Sequence, residues 1–63
     1  MIQIFLYSAE ESITDSMDYR SHFVPDVGGY VRWGGEEHRV IKRVARAGSS
    51  AVDIIVRREN NQP

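Results

Sequence analysis

Two glycine pairs, Gly28-Gly29 and Gly34-Gly35, bracket four residues of strand-forming character, Tyr30-Val31-Arg32-Trp33. Glycine pairs favour tight turns, and Gly-Gly between two extended runs is a hairpin signal. Pro25 holds Val24 extended and removes one ladder donor. The segment 23–35 therefore reads as an approach loop, a tight turn, a short strand and a hairpin corner. Strand-forming runs follow at 40–44 and 52–56. That order predicts a small, strongly bent β-sheet that closes into a barrel.

Such a sheet has little to bury. The chain is 63 residues long and has no cysteine, so it is one small domain without disulfides or thiolate metal sites. A core of this size supplies only about 3–5 kcal/mol, which makes association with a second copy or another protein a reasonable expectation. The lack of cysteine fits a reducing cytoplasm. The apolar start, Ile2 to Tyr7, is far too short to span a bilayer. It also lacks the basic start and cleavage site of a signal peptide. A soluble, cytoplasmic protein with no membrane contact is expected.

Ile2, Ile4 and Leu6 alternate with Gln3, Phe5 and Tyr7, the period of two that marks a strand. A strand buried on one side carries polar residues on the other. Here the second face holds Phe5 and Tyr7, so both faces call for cover, and a second chain could supply it. Residues 8–21 are polar and acidic. Ile13 and Met17 are spaced for one helical turn, and Ser12-Ile13-Thr14-Asp15 has the form of a weak capping box. A long loop fits that stretch equally well.

Residues 36–47 admit two readings. As a helix, Val40, Ile41, Val44 and Ala45 form one apolar stripe and Arg39, Lys42, Arg43 and Arg46 lie on the other faces. As a strand, His38, Val40, Lys42, Val44 and Arg46 share a face, and Lys42 then needs a bulge, a bend or a barrel rim to escape burial. Local pattern slightly favours the helix, giving an α+β alternative. The flanking hairpin signals decide for the strand, because Trp33-Gly34-Gly35-Glu36 turns one strand directly into the next.

The series Val24-Pro25-x-Val27-Gly28-x-x-Val31, then Gly35, Val40 and Val44, then Val52-x-Ile54-x-Val56, resembles small SH3-like barrel proteins of the short kind found in phages and other mobile elements. Gly29 replaces the acidic residue usual in their Pro-x-Val-Gly-Asp-x-Val segment, and His38 stands where an aromatic is commoner. The resemblance covers residues 23–58. It implies architecture without fixing a function.

Net charge is −1, but its distribution is uneven. Residues 1–31 hold five acids (Glu10, Glu11, Asp15, Asp18, Asp26) and one base (Arg20). Residues 32–63 hold seven bases and four acids. No enzymatic motif emerges. His22 and His38 have no nearby His or Cys, so no metal site is expected. The serines form no Gly-x-Ser-x-Gly elbow. Glu10-Glu11 and Glu36-Glu37 suit solvated turns better than paired acid/base work. The glycine pairs lack the spacing and the Lys-Ser/Thr of a phosphate-binding loop. No cofactor is implied.

The expected fold is all-β, a small SH3-like barrel of about five strands near 1–8, 18–24, 30–34, 37–47 and 51–58, with a frayed tail at 59–63. The expected core is Ile2, Ile4, Leu6, Phe23, Val27, Val31, Val40, Val44, Val52, Ile54 and Val56. The expected function is a non-enzymatic, self-associating (dimeric) protein-binding module. Phe5, Tyr7, Ile41 and Ile55 fall off the core parity of their strands and form its candidate interface. If the chain is phage-encoded, its partner is a host protein that it inhibits. The alternative is a nucleic-acid-binding barrel using Tyr30, Arg32, Trp33, Arg39, Arg43 and Arg57 as an aromatic and cationic surface.

Overall fold

A computed structural model describes residues 1–9 and 16–59. Its strands are β1 (Ile2–Ser8), β2 (Ser16–Ser21), β3 (Tyr30–Trp33), β4 (Glu36–Ala45) and β5 (Val52–Arg58). Among the described residues there is no helix. The strands form one sheet in the order β2-β1-β5-β4-β3, strongly curled into a half-barrel. The helix weighed for 36–47 is replaced by the ten-residue strand β4. Ladders to β3 and β5 on its two edges outweigh the local helical period.

The first and last strands meet at the centre of the sheet. β1 and β5 run parallel, with Ile4 beside Val52 and Leu6 beside Ile54, while every other pair is antiparallel. Inside the curl, Ile4, Leu6, Val40, Val52, Ile54 and Val56 form the buried core. Each contributes about 1.5–3 kcal/mol by leaving water. Ile2, Tyr19, Val24, Val31 and Trp33 pack around them, half-buried. Burial raises the Tyr19 phenol above its ordinary value, because the charged form is poorly solvated there.

The glycine pairs do the work expected of them. Gly34 and Gly35 have φ of 64° and 81°, the two left-handed residues of a type I′ hairpin between β3 and β4. At the other pair, the Gly29 amide donates to the Asp26 carbonyl at 2.9 Å, with Gly28 at φ 93°, which makes a type II turn. Residues 22–29 join the two edge strands. This loop is fixed to the sheet by Val24 in the core rim and by an Asp26–Arg43 ion pair at 3.6 Å. Reciprocal backbone bonds also tie Gly28 and Gly29 to Val40 at 3.0 and 2.9 Å.

Three expected core residues lie outside the core. Phe23 is 83% exposed because β2 stops at Ser21. The Ser21 hydroxyl accepts from the Phe23 amide at 3.0 Å, and the chain turns so that Val24 packs instead. Val27 sits at the tip of the Asp26–Gly29 turn, 57% exposed, its amide bonded to the Asp26 carboxylate at 2.8 Å. Val44 is 40% exposed because of a bulge in β4. Val40 pairs with Val56 but Lys42 pairs with Ile55, so Ile41 is the extra residue. One inserted residue reverses every later side chain. Lys42 thereby escapes the core, and Val44 leaves with it, opposite Asp53.

Met17 lies in β2 opposite Leu6 and is on no helical turn. The proposed cap at 12–15 and Ile13 lie outside the described residues, as does the tail from 60 onward. Glu59, placed in that tail by sequence, still donates its amide to the Glu37 carbonyl at 3.1 Å.

Ile54→Ala should cost about 2–5 kcal/mol in urea unfolding, whereas Phe23→Ser should stay within about 0.5 kcal/mol. Equal costs for the two would overturn the core assignment. Tyr19 has a folded pKa above its unfolded value near 10.0. Its stabilisation is therefore complete below that pH and is lost as pH rises through the folded value. Tyr19→Phe should accordingly lose less stability than wild type when unfolding is compared at neutral pH and above the phenol range.

Candidate functional site

The pairing register assigns side chains to the face opposite the core, the convex side of the sheet. Three rows cross it. In the first, Tyr30 stands opposite Arg39 and Arg39 opposite Arg57. In the second, Lys42 faces Ile55, which flanks Tyr7 and then Ser16. In the third, Val44 faces Asp53, followed by Phe5 and Asp18.

The middle of this face is apolar. Phe5, Tyr7 and Ile55 are brought together on the central strands β1 and β5, each half-buried. Val44 adds to them at the edge. Ile41, the fourth residue expected at this interface, is the unpaired bulge residue and is 37% exposed.

Arg46 organises the cluster. It follows β4 directly, and its amide bonds to the Ala51 carbonyl at 3.1 Å, which brings its side chain back over β5 and β1. The guanidinium carbon lies 4.1 Å from the centre of the Phe5 ring. Its fork binds Asp53 through Nη2 to Oδ1 at 2.8 Å and Nε to Oδ2 at 3.2 Å. Nη2 also donates to the Tyr7 hydroxyl at 3.2 Å. Hydrogen bonding to Asp53 raises the Arg46 pKa above its ordinary value, against a smaller opposing effect of desolvation. A planar cation stacked on a ring and held by a carboxylate fork is a fixed group. It partly covers Phe5.

The residues proposed for nucleic-acid contact divide between the faces. Tyr30, Arg32, Arg39 and Arg57 share the convex face by register. Trp33 lies on the core side, half-buried against the core with its ring 5.5 Å from that of His38. Arg43, opposite Ile54, is also on the core side and pairs with Asp26. Trp33 and Arg43 are therefore separated from the other four.

His38 is buried opposite Arg58, and its Nδ1–H donates to the Glu36 carbonyl at 3.0 Å. Arg58 in turn reaches Glu36 Oε1 at 3.3 Å. No group of three or more His, Cys, Asp or Glu side chains suited to a metal occurs among the described residues.

Sequence reasoning missed Arg46, Asp53 and Lys42. Arg46 and Asp53 lie on either side of a turn whose length the sequence leaves open. Lys42 was identified as a residue that had to escape the core, but its destination depends on where the bulge falls.

No family model, curated protein or solved structure matches the chain.

Arg46→Ala should lower the melting temperature, and so should Asp53→Ala. The double variant should lose less than the two singles together, because either single change already breaks the fork. Strict additivity in thermal unfolding would mean that the two side chains do not act as a unit.

Proposed function

We propose that the protein is a non-enzymatic protein-binding module that self-associates as a dimer through the centre of its convex face. One observation carries this reading. Parallel strands are ordinarily covered on both faces, yet among the described residues the β1–β5 pair has its core on one side and only Arg46 over the other. Phe5, Tyr7, Ile55 and Val44 give that uncovered centre aromatic and aliphatic character. Arg46, Lys42 and Asp18 surround it with charge, the arrangement of an apolar interface core with a polar rim. Arg46 is already oriented, so little side-chain entropy is lost when it is enclosed.

The smallness of the core supports the same reading, since a core cluster of six aliphatic side chains among the described residues leaves stability to be gained by association. No described helix is long and apolar enough to cross a membrane, and the cysteine-free composition suits a cytoplasmic site of action. The resemblance to short phage and mobile-element barrels extends the proposal to occupation and inhibition of a host protein through this same face.

Light scattering coupled to gel filtration across a dilution series tests the assignment. Wild type should run as a dimer that dissociates on dilution. Ile55→Arg should run as a monomer with an unchanged circular dichroism spectrum. A wild-type monomer at the highest attainable concentration, or a dimer that tolerates Ile55→Arg, would defeat the proposal.

A further inference from the structure

The convex face carries a second feature, at the end away from Arg46. Arg39 and Arg57 are directly opposed across β4 and β5, and Tyr30 continues their row onto β3. Like charges opposed across a ladder repel. Arg39 has partial relief: its Nη2 donates to the Tyr30 hydroxyl at 3.0 Å and its Nε lies 3.7 Å from Glu59. Arg57 makes no ion pair among the described residues, and neither does Lys42 in the adjoining row. Arg32 faces Glu37 across β3 and β4 and is left out for that reason.

We propose that Arg39, Lys42 and Arg57, with Tyr30 beside them, form a binding site for single-stranded nucleic acid. The site borders the proposed self-association surface and shares Lys42 with its rim, but it rests on different observations.

Charge is the first argument. The overall balance of −1 conceals how the acids are used. Asp53 is held by Arg46, Asp18 by Gln3, Asp26 by Arg43 and Glu36 by Arg58. Among the described residues, Glu59 pairs with Arg39 at 3.7 Å, and Glu37 lies two residues from Arg39 on the same face, opposite Arg32. Local field rather than net charge governs attraction of a polyanion.

Spacing is the second argument. Adjacent strands lie about 4.8 Å apart, and residues two apart on one strand about 6.6 Å. The three cations therefore fall within a patch of roughly 10 Å. That accommodates two or three phosphates of one extended strand, far fewer than the phosphates neutralised by a typical duplex binder.

The third argument is the aromatic ring. Tyr30 is 48% exposed, and the Arg39 guanidinium lies 5.5 Å from its ring centre. An exposed ring with an adjacent guanidinium is a stacking platform for an unpaired base. A duplex presents no such base.

Fluorescence anisotropy with a labelled oligothymidine, titrated at several salt concentrations, tests the site. Wild type should bind saturably at low salt. Lys42→Gln combined with Arg57→Gln should weaken binding about tenfold or more. It should also flatten the log–log salt slope by about 1.4, two cations at about 0.7 each. Tyr30→Leu should weaken binding about fivefold or more. Arg43→Gln, on the core side, should leave affinity unchanged, and Lys42→Arg combined with Arg57→Lys should retain it. Removing Arg57 also removes a repulsion, so the glutamine double variant should melt no lower than wild type. Three results would each overturn the proposal: no saturable binding at low salt, an unchanged affinity and slope in the glutamine double variant, or displacement by a duplex as effective as by unlabelled oligothymidine.

Discussion

The parallel zipper of β1 against β5 is the constraint on which the rest depends. It places the first and last strands at the centre of the sheet, so the most apolar runs of the chain, Ile2 to Tyr7 and Val52 to Val56, lie side by side. Their inward residues make most of the core, and their outward residues cannot all be polar. Edge strands β2 and β3 are free to be polar because they contribute little to the interior. Long-range pairing between chain ends also has an entropic cost before any contact is made. The core is therefore an outcome of closing this pair, and the loop 22–29 is the strap that joins the two open edges.

The bulge at Ile41 is the second determinant, and it governs chemistry more than stability. Without it, Lys42 would point at the core beside Val40. With it, Lys42 joins Ile55 and Tyr7 on the outside, while Arg43 turns inward and reaches Asp26. A single unpaired residue thus decides which cations share a face with Arg39 and Arg57. It also explains why β4 has the pattern of a helix: an apolar sequence that changes parity midway imitates a period between two and four.

Much of the fold was legible because its signals were local. Gly34-Gly35 specified a two-residue hairpin, and alternation in β1 and β5 specified both inward sets. Phe5, Tyr7 and Ile55 were correctly separated from the core by parity alone. What escaped detection depended on events at strand ends and within the ladder. The Ser21 hydroxyl ends β2 early and exposes Phe23. The Asp26 turn lifts Val27 away from the sheet. The bulge exports Val44. The separation of Trp33 and Arg43 from the other proposed nucleic-acid residues has the same origin, since strand parity and register, not residue type, assign a side chain to a face.

The arginines make the point most directly. Arg46 and Arg57 lie on the same face of the same sheet, yet one is fully engaged and the other is not. Arg46 has a ring beneath it and a carboxylate fork in front of it, both supplied by the central strands, so its charge is spent within the fold. Arg57 has another arginine across the ladder. An arginine that repels its neighbour contributes little to stability, and surface charges are easily replaced at no structural cost. Beside Arg39, Lys42 and an exposed tyrosine, its charge is left to the solvent side of the sheet, with no ion pair among the described residues.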